Sequence, residues 1–141
     1  MATEALDEPR PSAALKPWQL NLLVVPLVIL AMYSAAQWYR APDYVSLLWH
    51  EPLGIKMTIG TAVLLVVGVV VFLGGCALLN FMARVPWGIG AIAIQVGLTV
   101  VWVVVFCAPF AYVVTVGPAA IQIQKHLLSD DVPAEPKPTE R

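Results

Sequence analysis

Charge is scarce in this sequence. Lys, Arg, Asp and Glu make up 12% of the 141 residues, against about 25% in an ordinary soluble domain. The hydrophobic residues reach 60%, against about 45–50%, and that combination excludes a soluble globule. The 17 charges are also unevenly spread, with none between Lys16 and Arg40, between Lys56 and Arg84, or between Arg84 and Lys125, gaps of 23, 27 and 40 residues. A helix needs about 20 mostly apolar residues to cross a hydrocarbon core of roughly 30 Å, so each gap is long enough for one crossing. The sequence predicts an all-α integral membrane protein with three transmembrane helices.

Other scarcities narrow the function. The net charge of −1 and singly scattered basic residues supply no surface for nucleic acid. The two cysteines, Cys76 and Cys107, lie in apolar runs without C-x-x-C spacing, where free cysteine behaves as a small hydrophobe. No H-E-x-x-H, G-x-S-x-G or phosphate-cradling glycine loop occurs, and no Ser, His and Asp share one expected depth. The expected spans hold no ionisable residue, which argues against a proton-coupled pump, a voltage sensor or a carrier built around a buried charge. His50 and His126 are the two histidines, and histidine is a common axial ligand for haem and pigments. His50 falls in a polar connection and His126 beside Lys125, so both are expected to be solvated. The expectation is a chain without catalytic activity, metal or cofactor.

The first span is expected over 18–39, after an N-terminal tail at 1–17, with Trp18 at one edge and Trp38 and Tyr39 at the other, where amphipathic rings settle. A cleaved signal peptide is the rival reading, with Ser34-Ala35-Ala36 as cleavage site, but the leader carries three acids where positive charge is needed. Segment 40–56 is polar yet holds Tyr44, Val45, Leu47, Leu48 and Trp49, which suits a short helix on the membrane surface with Asp43, His50 and Glu51 wet. The second span is expected over 57–79 and the third over 87–117. The short link at 80–86 would fold them into an antiparallel hairpin.

The 40-residue gap would be about 60 Å long as one helix, twice the core thickness. It is therefore expected to bend at Pro109 and to stop at Gly117-Pro118, with 118–128 leaving along the interface and 129–141 as a C-terminal tail. A fourth span would need a break near Pro109 that leaves too short a final crossing. Placing Arg10, Lys16 and Arg84 on one side and Arg40, Lys56, Lys125, Lys137 and Arg141 on the other leans toward a cytoplasmic C-terminus.

Small residues recur along the spans. Gly54, Thr61, Gly68 and Gly75 fall every seven residues, as do Gly90 and Gly97, and Ala93 with Gly97 makes a small-xxx-small pair. Such stripes let membrane helices approach closely, so they are candidate packing faces within the chain or toward a partner. Gln95, Thr99 and Trp102 share one face of the third span. That face is either an interhelical hydrogen-bonding seam or the lining of a path.

Phe106-Cys107-Ala108-Pro109-Phe110-Ala111-Tyr112-Val113-Val114-Thr115-Val116-Gly117-Pro118-Ala119-Ala120-Ile121-Gln122-Ile123 resembles the last transmembrane segment of type II secretion F-family platform proteins of the tight-adherence branch. The resemblance covers 18 residues, and the family's cytoplasmic helical domains have no counterpart here. It implies association with a secretion or pilus platform. Absence of chemistry inside the spans, together with the small-residue stripes, points instead to an accessory or assembly subunit of a larger membrane complex. Its partners would be membrane lipid and other transmembrane subunits, in a hetero- or homo-oligomer within a bacterial inner membrane. The alternatives are a small oligomeric transporter or channel, and a pigment- or haem-binding protein.

Overall fold

The computed structural model describes residues 14–82 and 88–130, all helical apart from 14–16 and two single-residue joints at Ala41 and Glu51. Residues 1–13 of the expected N-terminal tail, 131–141 of the C-terminal one, 83–86 of the expected 80–86 link and position 87 of the expected third span lie outside the described residues. Five α-helices follow in order: α1 Pro17–Arg40, α2 Pro42–His50, α3 Pro52–Met82, α4 Gly88–Val101 and α5 Ala108–Asp130, with a π-helical segment Trp102–Cys107 joining the last two. Three helices are long and apolar enough to cross a membrane: α1, α3 and the continuous run Gly88–Ser129. These fit an integral membrane protein.

Proline sets the boundaries around α2. Pro17, Pro42 and Pro52 each open a helix, where the missing N–H is unneeded and the fixed φ is already helical. The residue before a proline is pushed out of the α region. Ala41 (φ −147°, ψ 69°) and Glu51 (φ −98°, ψ 137°) accordingly break the chain between helices. Both still donate N–H to the preceding helix, Ala41 to Gln37 O at 3.1 Å and Glu51 to Leu47 O at 3.1 Å, so neither joint leaves its own amide unpaired.

Inside the spans proline acts differently. Pro109 has no N–H for the carbonyl of Val105, and its ring crowds that carbonyl. The chain answers with the wider π-helical segment just before it, in which Ala108 N–H bonds Val103 O five residues back. Sequence expected a stop at Gly117-Pro118, and here the structure differs: α5 runs through both residues to Asp130. The reason is tertiary. Gly117 and Pro118 are buried, and Val113 and Ile121 of α5 cluster with Val45 and Leu48 of α2. An added Cβ at Gly117 would stand 3.0 Å from Leu48 Cδ2, so glycine serves here as a seat for α2. Packing on both sides of Pro118 holds the helix through the break that local rules predict.

The main core gathers Leu23 and Leu30 of α1, Phe72 and Cys76 of α3, and Trp102 and Cys107 of the π-helical segment. Phe72, Trp102 and Phe106 form a tilted aromatic row with centroid separations of 6.0 and 6.1 Å. Glycine makes the contacts close. A Cβ at Gly68 would meet Phe106 Cγ at 2.4 Å, and one at Gly75 would meet Leu98 Cδ2 at 2.8 Å. Along α3 the contacted partner in the later helices falls in number as the α3 residue rises, from Phe106 at Gly68 to Trp102 at Phe72 and Leu98 at Gly75.

Candidate functional site

The most polar interior feature among the described residues is a cluster of three amides, drawn from the start of α1, the end of α3 and the middle of α4. Gln19 is 2% exposed and Gln95 6%. Gln19 Nε2 donates to Asn80 Oδ1 at 3.1 Å and to Gln95 Oε1 at 3.2 Å, while Asn80 Nδ2 donates back to Gln19 Oε1 at 2.8 Å and to Ala14 O at 3.0 Å. The same Gln19 oxygen accepts the backbone N–H of Lys16 at 3.1 Å, which caps α1. Both donors and both lone pairs of Gln19 are therefore used. Gln95 Nε2 faces Cys76 Sγ at 3.6 Å, a weak acceptor. Gln19 is saturated by its two amide partners and the Lys16 N–H, Gln95 Nε2 has only the weak sulfur acceptor among the described residues, and the set ties three helices at one end of the bundle.

Sequence singled out Gln95 but passed over its two partners. Gln19 stands at the edge of the first span, and Asn80 fell in the expected 80–86 link. Sequence carried no signal for them, because Gln19 lies two residues inside the start of α1 and Asn80 two residues inside the end of α3, positions where polar residues ordinarily face water. Of the expected polar face, Gln95 and Trp102 point into the bundle, and Thr99 is half-buried with its hydroxyl donating to Gln95 O at 2.9 Å. Trp102 is 1% exposed, and its Nε1 finds no hydrogen-bond partner among the described residues.

The expected small-residue faces divide. Gly54 lies under α2, where a Cβ would stand 2.7 Å from Leu48 Cα and 2.8 Å from Leu48 O. Gly68 and Gly75 meet the later helices as described, and Thr61 turns its hydroxyl to Met57 O of its own helix at 3.0 Å. On α4, Gly90 is half-buried and Ala93 exposed, and a Cβ at Gly97 would meet nothing within 4 Å. The stripe of α3 thus borders the molecule's own helices, whereas Ala93 and Gly97 look outward.

His50 and His126 are both exposed, His50 with its Nδ1 2.9 Å from Ser46 O. Among the described residues no group of three or more His, Cys, Asp or Glu could hold a metal ion. Lys125 of α5 forms an ion pair with Glu51 at the α2–α3 joint. Tyr33 of α1 and Thr115 of α5 share a hydroxyl hydrogen bond at 2.6 Å. Beside that bond an apolar groove of about 390 Å³ opens between α1 and α5, lined by Pro26, Ile29, Leu30 and Val103 among others. A second cleft lies between α1 and α4. It has two adjoining parts of about 250 and 170 Å³ that share Trp18, Ile92 and Gln95. Comparison with protein-family models, curated proteins and solved structures found no match.

Proposed function

We propose that this chain is a non-catalytic accessory or assembly subunit of a larger complex in a bacterial inner membrane. In this reading the second and third spans form an antiparallel hairpin, and α2 lies along the membrane interface. The observation that carries it is the contrast between inner and outer small residues. Gly60, Gly74 and Gly97 would each accept a Cβ with nothing within 4 Å, although small residues in membrane helices commonly mark close approach of another helix. The interior polar groups support the same reading, because the three amides are spent on one another rather than presented to a substrate.

Purification in mild detergent followed by native mass spectrometry tests it. The expected result is a hetero- or homo-oligomer that is lost in Gly97→Phe, while the fold of the isolated chain is kept. Recovery only as a monomer with a measurable activity overturns it. The transporter or channel alternative makes a different forecast, since a path lined by Gln95, Thr99 and Trp102 should lose flux in Gln95→Leu. A link to a secretion or pilus platform, implied by residues 106–123, would show in the identity of the co-purifying chains.

A further inference from the structure

The cleft between α1 and α4 has a graded lining. Its outer part, about 170 Å³, is bordered by Lys16, Gln19, Asn80 and Gln95. Its inner part, about 250 Å³, is bordered by Leu22, Val96, Thr99 and Val100. Trp18, Ile92 and Gln95 border both, so the two parts adjoin. The cleft exists because α1 packs on α3, α5 and the π-helical segment and scarcely on α4. Gln19 to Gln95 is the side-chain hydrogen bond that bridges these two helices among the described residues.

The direction of the gradient matches a bilayer. Lys16 stands just before the first charge-free stretch, at the depth of headgroups, and Thr99 and Val100 lie toward the middle of the third span. From Ile92 to Val100 the cleft follows α4 for about 12 Å at 1.5 Å per residue, a depth at which only hydrocarbon surrounds the protein. Its walls open sideways, since Trp18, Ile92, Val96 and Val100 are all about half exposed or more. An occupant must therefore be an amphiphile, with an anionic, hydrogen-bond-accepting head and a flexible apolar chain able to lie along the groove, any second chain passing out through the open side. Lys16 and the indole N–H of Trp18 are donors without acceptor capacity, which selects a head of net negative charge over a zwitterionic one, whose cation lies beside the same phosphodiester and offsets the attraction of Lys16.

We infer that this cleft is a binding site for an anionic phospholipid, with the headgroup phosphate at Lys16 and Trp18 and one acyl chain along Leu22, Val96 and Val100. The site needs no second protein, so it stands or falls separately from the accessory role.

The test uses the full chain in mild detergent, with phosphatidylglycerol and phosphatidylcholine of identical acyl chains as probes and native mass spectrometry as readout. One phosphatidylglycerol should be retained about fivefold more than phosphatidylcholine, the factor that one lysine–anion contact supplies. Lys16→Gln should bring phosphatidylglycerol down to the phosphatidylcholine level, while Lys56→Gln, at the other end of α3, should leave the preference intact. Val96→Trp, which fills the groove from an exposed position, should reduce retention of both lipids. Val100→Trp serves the same purpose should Val96→Trp fail to fold. Equal retention of the two lipids, a preference that survives Lys16→Gln, or unchanged retention in a folded groove-filling variant would overturn the inference. So would competition by inorganic phosphate as effective as by the lipid, which would make the occupant a free anion.

Discussion

Gln19 makes four hydrogen bonds, to Lys16 N–H, to both ends of the Asn80 amide and to Gln95. Interhelical polar contacts in membranes average about 0.6 kcal/mol, but a buried donor left without a partner costs about 1–3 kcal/mol. Gln19→Leu strands groups on Asn80 and Gln95 together, whereas Gln95→Leu strands one N–H of Gln19. Thermal unfolding in detergent should therefore rank Gln19→Leu well below Gln95→Leu and both below the parent. A Gln19 and Asn80 double-mutant cycle should show coupling, because the two amides bond each other twice.

The glycines give a second ranking at this scale. Gly54→Ala drives a methyl into the backbone of Leu47 and Leu48, and Gly68→Ala drives one into the base of the Phe106 side chain. Overpacking of that kind costs about 1–3 kcal/mol. At Gly75 the nearest atoms are the terminal methyls of Leu98, which can rotate aside, and at Gly97 there is open space. Melting temperatures should fall most for Gly54→Ala and Gly68→Ala, less for Gly75→Ala, and not at all for Gly97→Ala.

At the scale of elements, α2 is held by one deep contact and one shallow one. Leu48 is 2% exposed and sits between Gly54 and Gly117, so Leu48→Ala opens a cavity worth about 2–5 kcal/mol in a well-packed site. Lys125 is 53% exposed in its pair with Glu51, and exposed pairs contribute about 0–1 kcal/mol. Leu48→Ala should thus release α2 while Lys125→Ala leaves it in place, as read by hydrogen exchange at the α2 amides. The π-helical segment belongs to this scale too. Pro109→Ala restores the N–H that Val105 lacks, and the expected outcome is a shorter or absent π-helical segment with faster motion of Trp102, measurable by relaxation dispersion at its indole.

For the whole molecule, length is the controlling quantity. The run Gly88–Ser129 has 42 residues, about 63 Å of helix at 1.5 Å per residue against a hydrocarbon core of about 30 Å. The α2–α5 contact places Val113 and Ile121 level with α2, and α5 continues past it with Ile123, Leu127 and Leu128 exposed. A cysteine at position 127 should react with a membrane-impermeant maleimide added on one side only, and one at position 104 from neither side. The native Cys76 and Cys107, both buried, should stay unlabelled in the folded protein. The reactive side also reads the orientation, which the distribution of Lys and Arg leans toward a cytoplasmic C-terminus.

Sequence by itself determined that this is a helical membrane chain with three stretches able to span. Burying a charge in hydrocarbon is so costly that the positions of 17 charged residues mark where spans can lie. It also pointed to a short helix within 40–56, because Tyr44, Val45, Leu47, Leu48 and Trp49 are too apolar for a solvated loop, and α2 falls inside that segment. The tertiary structure decided what depends on neighbours. Whether Gly117-Pro118 ends a helix turned on Val45 and Leu48 arriving from α2, and packing outweighed the local preference. The amide cluster was equally out of reach, since Gln19 and Asn80 stand at helix ends where polar residues ordinarily face water. Only the register of three helices turns them toward Gln95, and that register is set by which glycine faces which side chain, a matter of shape that no single segment encodes.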